Sequence, residues 1–223
     1  MFNKFIYGKI EEINNAEDYK EFTTPEEADA WGNEIYKEWG DEIKNFKILK
    51  KDSGMFEDSS WAYDPLELYC GWDYQHINNF LRKNDEDTLD VYKYRAVRLS
   101  ETLLRAPRIK ENIIVYRYVG NDYIEKLLQA NKEFENHYYY EKGFTSTSLL
   151  KKIVSDAPDD ASLLKLYVDK GTVGAYIDTV VSRAEYEILL QNNLHIRLCK
   201  KPYFDKTINR MVYECKTHSF CRR

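Results

Sequence analysis

Arg183-Ala184-Glu185-Tyr186-Glu187-Ile188-Leu189-Leu190-Gln191 sets two acids one residue apart at the mouth of an apolar run. The composition of 186–191 predicts a strand. Side chains alternate along a strand, so Glu185 and Glu187 are expected on one face, about 6–7 Å apart. Tyr186, Ile188 and Leu190 then face a core. Neighbouring carboxylates repel and raise each other's pKa. Glycosyl transfer can use such a pair: one group stabilises a developing positive charge and the other handles an acceptor proton. A solvated acidic edge strand would carry the same pattern.

Two upstream segments bear on that choice. In Glu141-Lys142-Gly143-Phe144-Thr145-Ser146-Thr147-Ser148-Leu149, Gly143 marks a turn into a strand, with Ser146 and Ser148 on one face. A hydroxyl there can orient a carboxylate by a hydrogen bond. Ile113-Ile114-Val115-Tyr116-Arg117-Tyr118-Val119-Gly120 is an apolar strand interrupted by Arg117. A buried guanidinium needs an anion, either an internal acid or a phosphate gripped by the guanidinium fork.

In this order, Arg117, Ser146-Thr147-Ser148 and Glu185-Tyr186-Glu187 resemble the signature of the Arg-Ser-Glu class of mono-ADP-ribosyltransferases. Phe22-Thr23-Thr24-Pro25-Glu26-Glu27-Ala28-Asp29-Ala30-Trp31-Gly32 is similar to the opening helix of the clostridial and bacillar toxin enzymes. Tyr69-Cys70-Gly71-Trp72-Asp73-Tyr74-Gln75-His76-Ile77-Asn78-Asn79-Phe80-Leu81-Arg82 resembles a helix of the same enzymes.

The resemblance implies an α+β fold: a helical amino-terminal lobe (1–108) packed on a β core (109–223) of two roughly perpendicular sheets, all one domain. It implies NAD as co-substrate and no metal. Arg117 would clamp the diphosphate, with Asn78, Arg82, Tyr74, Gly143, Thr147 and Ser148 completing the NAD site. Ser146 would hold Glu187, and Glu187 would stabilise positive charge as nicotinamide departs. Glu185 marks the Glu-x-Glu, arginine-modifying subclass, and Asp178, Ser182 and Arg183 fall in the acceptor-recognition loop. Where many relatives place a further phosphate-binding arginine, this chain has Asp156, Asp159 and Asp160, with Lys151 and Lys152 as the nearby cations.

The implied partner is a host-cell protein, actin being the first candidate, modified by a monomeric toxin or effector that is secreted or otherwise delivered. A delivery component or an immunity protein fits the same class. Slow NAD hydrolysis to water would accompany transfer. A nucleic-acid acceptor, or a catalytically inactive NAD-binding module, are the competing readings.

Composition narrows these. The net charge of −5 and pI near 5.5 disfavour a general nucleic-acid or anionic-membrane surface. Mean hydropathy is −0.67, yet aromatics reach 15% and are spread throughout, which points to a packed core rather than disorder. No run is long and apolar enough to span a bilayer, and Met1 to Lys9 lack the pattern of a signal peptide. Cys70, Cys199, Cys215 and Cys221 lack zinc spacing; a Cys215–Cys221 disulfide is open, with free thiols the alternative.

Thr24-Pro25-Glu26-Glu27 predicts a capped helix start. Ala28, Trp31, Ile35 and Trp39 continue it at helical spacing, Gly40 is expected to end it, and a second helix is expected over 41–51. A turn is expected over 52–54. Further helices are predicted at 73–83, 88–104 and 121–135, and strands at 113–119, 144–149, 163–169, 186–191, 194–199 and 207–216. His137 and the Tyr138-Tyr139-Tyr140 run are expected to pack at a loop or sheet edge.

Overall fold

The computed structural model describes residues 7–8, 10–52, 64–83, 89–133, 138–152, 157–158 and 160–219. Five helices occur among them: α1 (Pro25–Asp52), α2 (Pro65–Leu68), α3 (Tyr74–Lys83), α4 (Asp90–Arg105) and α5 (Asn121–Glu133). A π-helical turn, Tyr69–Asp73, joins α2 to α3 and kinks at Gly71.

The predicted cap forms at the start of α1. Thr24 Oγ1 accepts from the Glu27 N–H at 3.2 Å, while Glu27 reaches back to the Thr23 N–H at 3.3 Å. Gly40 does not end the helix, which runs on to Asp52 as one element. A Cβ at Gly40 would lie 2.8 Å from Thr179 Oγ1, and one at Gly32 would lie 2.1 Å from the Tyr176 ring. These glycines lie eight residues apart and form a groove that seats Tyr176 to Thr179. Ser53 and Gly54 of the expected turn lie outside the described residues.

Nine strands follow: β1 (Ile113–Val119), β2 (Tyr139–Glu141), β3 (Thr145–Ser148), β4 (Ser162–Val168), β5 (Gly174–Tyr176), β6 (Glu187–Leu190), β7 (Leu194–Leu198), β8 (Tyr203–Asp205) and β9 (Arg210–Ser219). Their order is β2-β7-β9-β4-β1-β3-β6-β5, with β8 on β9. Only β4–β9 is parallel. The expected two sheets are hydrogen-bonded into one path through a narrow junction. There β1 and β3 share the single register pair Tyr116–Ser148, whereas β1 and β4 pair along seven residues.

The main core joins Trp31, Tyr36 and Trp39 of α1, Ile77 of α3, and Leu99 and Leu103 of α4 to the sheet residues Val115, Leu164, Ile188 and Leu190. The opposite sheet face buries Ile114, Tyr116, Leu163, Tyr167 and Val212 under Ile13 and Tyr19. At the sheet edge, the Tyr140 ring stacks on His195 at 4.8 Å, in line with the packing role expected of the tyrosine run; His137 lies outside the described residues. Cys70, Cys199 and Cys215 are free thiols. Cys221 lies outside the described residues, and with it the Cys215–Cys221 pairing left open by the sequence.

Candidate active site

Glu187 opens β6 and is buried, with 4% of its surface exposed. The antiparallel register sets Ser148 opposite Glu187 and Ser146 opposite Leu189. Ser146 is therefore the diagonal neighbour of Glu187, close enough for side chains to meet, and the nearness of its hydroxyl favours the charged carboxylate. Burial raises the Glu187 pKa to about 7; the nearby charges of Glu185 and Asp178 add to this, and the Ser146 hydroxyl and Arg183 oppose it.

Glu185 lies just before the strand, not within it. Ala184 (φ 54°) and Tyr186 (φ 51°) both take left-handed backbone conformations, which breaks the alternation expected across 185–187. The two acids therefore sit on a turn and a strand end, not on one strand face. Side chains with a Cβ disfavour that conformation, so the turn needs fixing from outside. Ser148 Oγ donates to the Glu185 carbonyl at 2.9 Å, and the Leu149 N–H donates to the Tyr186 carbonyl at 3.0 Å. The Asp178 carboxylate accepts from the Tyr186 N–H at 2.7 Å and from the Glu187 N–H at 3.4 Å.

Glu185 stays half exposed, its Oε1 3.3 Å from Arg183 Nη2. Arg183 Nη1 also donates to the Cys70 carbonyl at 2.6 Å, tying the acid turn to the π-helical turn. Of the expected recognition loop, Ser182 and Arg183 are exposed, whereas Asp178 is directed inward to the backbone of the acids.

Arg117 Nη1 donates to the Ser146 carbonyl at 3.0 Å, which places the guanidinium beside the diagonal neighbour of Glu187. Its Nε is buried without a hydrogen-bond partner, and among the described residues no carboxylate pairs with it. A guanidinium in this state can take an anion.

Asn78 and Arg82 have protein partners in this structure. Asn78 is buried; its amide donates to Tyr69 Oη at 3.0 Å and to the Phe144 carbonyl at 3.3 Å, and it accepts from the Phe144 N–H at 2.9 Å. Arg82 makes a two-pronged contact with Glu141, at 2.8 and 3.2 Å. Glu141, only 1% exposed, also accepts from the Gly143 N–H at 2.8 Å. A Cβ at Gly143 would meet Asn78 Oδ1 at 2.8 Å, so glycine alone permits this approach. The pair expected to grip phosphate thus clamps α3 to the turn before β3. No spacing in the sequence linked Glu141 to Arg82, 59 residues away.

Thr147 Oγ1 donates to the Ile188 carbonyl at 2.7 Å and fastens β3 to β6. Tyr74 is partly exposed, in edge contact with Tyr69 at 6.5 Å. Lys151 is ion-paired with Asp205 at 2.6 Å, which engages one of the two cations available in place of the missing arginine. Asp156 and Asp159 lie outside the described residues.

Several known proteins are similar. The Mono-ADP-ribosyltransferase C3 of Clostridium botulinum C phage is 26% identical over 204 residues, covering 82% of this chain and 75% of that protein. The NAD(+)--arginine ADP-ribosyltransferase EFV of Enterococcus faecalis is 36% identical over 94 residues, covering 39% of this chain and 18% of that protein. Among solved structures, the ADP-ribosylating toxin BECa of a binary enterotoxin of C. perfringens, determined with NADH, superposes with a TM-score of 0.68 at 19% identity. That match covers 90% of this chain, which spans half the length of BECa. The family model for the ADP-ribosyltransferase exoenzyme matches residues 28–217, from α1 through the acid turn and into β9. By that match, the chain belongs to the ADP-ribosyltransferase exoenzyme family.

Proposed function

We propose that this chain, working as a single catalytic domain, moves ADP-ribose from NAD to an arginine of a host-cell protein, as a toxin or effector. The observation that carries the reading is the buried Glu187 carboxylate beside Ser146, its diagonal neighbour on β3, with a half-exposed second acid two residues before it. When bound, NAD supplies the ribosyl group whose bond to nicotinamide breaks. Arg117 would neutralise its diphosphate. Glu187 stabilises the positive charge that develops at the sugar, an electrostatic contribution aimed at the transition state. Ser146, its diagonal neighbour on β3, would keep the carboxylate in place for that task.

Glu185 is assigned to the acceptor. A free guanidinium is protonated far above neutral pH and is a poor nucleophile. A carboxylate beside it can orient it and take its proton as the new bond forms. Arginine specificity is supported by this second acid and by the similarity to EFV, whose name carries an arginine acceptor. Without an acceptor, water is expected to take the sugar slowly.

The test is transfer of labelled ADP-ribose onto a eukaryotic lysate and onto purified actin, with two variants. Glu187→Gln should abolish labelling and nicotinamide release together. Glu185→Gln should lose protein labelling and keep nicotinamide release. Equal loss of both activities in a folded Glu185→Gln overturns the division of labour. Nicotinamide release without protein label in the wild type would point instead to a nucleic acid, a bacterial target or water as acceptor.

A further inference from the structure

Asp178 lies in the loop expected to meet the acceptor, yet its carboxylate turns inward. It accepts from the N–H groups of Tyr186 and Glu187, the residues that join the two acids. Burial and the nearby charges of Glu185 and Asp29 push its carboxyl above the ordinary carboxylate range, while those two N–H bonds oppose the shift. Among the described residues no cation pairs with it. A half-buried carboxylate without a counter-ion is costly to keep. A task that needs its geometry and charge accounts for that cost.

The support beneath Asp178 is rigid. Tyr176 packs on Gly32 and hydrogen-bonds Asp29, and Thr179 packs on Gly40, all on helix α1. Thr179 Oγ1 further closes the segment on the Tyr176 carbonyl at 2.9 Å. A continuous path of packed groups therefore runs from α1 through Asp178 to the backbone of the catalytic acid. At its end lies the turn with two left-handed residues, a conformation that residues with a Cβ adopt at a cost.

We propose that Asp178 is a positioning residue for ADP-ribosyl transfer: its carboxylate pins the backbone of Tyr186 and Glu187 and so fixes where both acids point. The proposal rests on the transferase reading above. Asp178 also acts through its charge. The groups around Glu187 are Ser146 from β3, with Arg117 of β1 hydrogen-bonded to its carbonyl, Glu185 and Arg183 from the turn, Asp178 from the segment after β5, and Tyr69 and Cys70 from the π-helical turn. Those facing Asp178 itself are Asp29, Tyr176, Glu185 and the Tyr186 and Glu187 amides. Removing the Asp178 charge removes one of the influences that keep Glu187 protonated near neutrality.

Asp178→Asn keeps the size, loses one acceptor oxygen and removes the charge. Asp178→Glu keeps the charge and moves the oxygens. Nicotinamide release from NAD by the full chain, followed across pH, together with NAD binding by calorimetry, separates the two effects. The expectation for both variants is a fall in kcat on the order of 10²-fold, the scale of a catalytic group displaced by about 1 Å, with NAD affinity held. In Asp178→Asn the acidic limb of kcat/KM moves to lower pH, and in Asp178→Glu it stays. A purely structural role would not split the variants in this way.

Undiminished kcat in a folded Asp178→Asn, while the wild type turns over, overturns the assignment alone. If Asp178→Asn does not fold, Asp178→Glu decides: full kcat overturns the assignment, and reduced kcat with the limb in place supports it. A wild-type chain that releases no nicotinamide overturns the transferase reading, and this assignment with it.

Discussion

Glu187 sets a conflict between stability and chemistry within one side chain. Its carboxyl is raised from the ordinary 4.5 to about 7, chiefly by burial. A carboxyl raised on folding favours the protonated folded state. Its stabilising contribution is therefore complete below pH 4.5 and is lost as pH rises through about 7. The size of that loss is about 3 kcal/mol. In the proposed mechanism catalysis needs the charged form, so activity should grow where stability falls. Urea unfolding at pH 5 and pH 8 checks the first half: relative to Glu187→Gln, the wild type should lose about 2–3 kcal/mol between the two. The second half appears as an acidic limb near pH 7 in kcat/KM for nicotinamide release, since that parameter reports the free enzyme. A limb near 4.5 would mean that the site is wetter than its geometry indicates.

At the scale of elements, helix α1 does more than fill the core. Gly32 and Gly40 let Tyr176 to Thr179 lie against its backbone, and that segment carries Asp178. Alanine is the better helix former by about 1 kcal/mol, yet Gly32→Ala would put a Cβ 2.1 Å from the Tyr176 ring. The expected result is a net destabilisation of about 1–3 kcal/mol from overpacking, with slower nicotinamide release because the Asp178 segment is displaced. Thermal unfolding and kcat measured on one preparation check both; a stabilised, fully active Gly32→Ala would remove α1 from the support of the site. This helix also marks where the sequence stops being informative. Gly40 after a Trp-rich stripe has the form of a helix stop, because a stop and a close approach both demand glycine. Only the position of Thr179, distant in the chain, separates the two. The long strands were legible from apolar runs: β1 was predicted at 113–119 and lies there. The three-residue strands β2, β5 and β8 were not predicted, since they are too short for a period to register. The acid turn was misread for a related reason: two left-handed residues leave no mark in a sequence of Ala, Glu and Tyr.

Across the whole molecule, the helical part and the sheet are tied at points that flank the site. Arg183 joins the acid turn to the Cys70 carbonyl, and Trp31 Nε1 donates to Glu111 at 2.6 Å. Asn78, Arg82 and Glu141 bind α3 to the turn before β3. The family resemblance assigned Asn78 and Arg117 to the same task of holding NAD; the geometry gives them different surroundings. Asn78 makes three hydrogen bonds within the protein, whereas Arg117 keeps a buried Nε without a partner. A ligand that binds only the folded chain raises its stability in proportion to the logarithm of its concentration over Kd. The two residues should therefore separate in one thermal-shift experiment with and without NAD. Asn78→Asp would set a carboxylate oxygen against the Phe144 carbonyl in a buried place, and should lower stability by about 2–4 kcal/mol. NAD should still raise its Tm, since the proposed grip of Arg117 on the diphosphate is left intact. Arg117→Ala should keep most of the stability and lose most of the NAD-induced rise. The reverse pattern, an Asn78→Asp chain that is stable but insensitive to NAD, would move the phosphate grip from β1 to α3 and make the clamp part of the binding site.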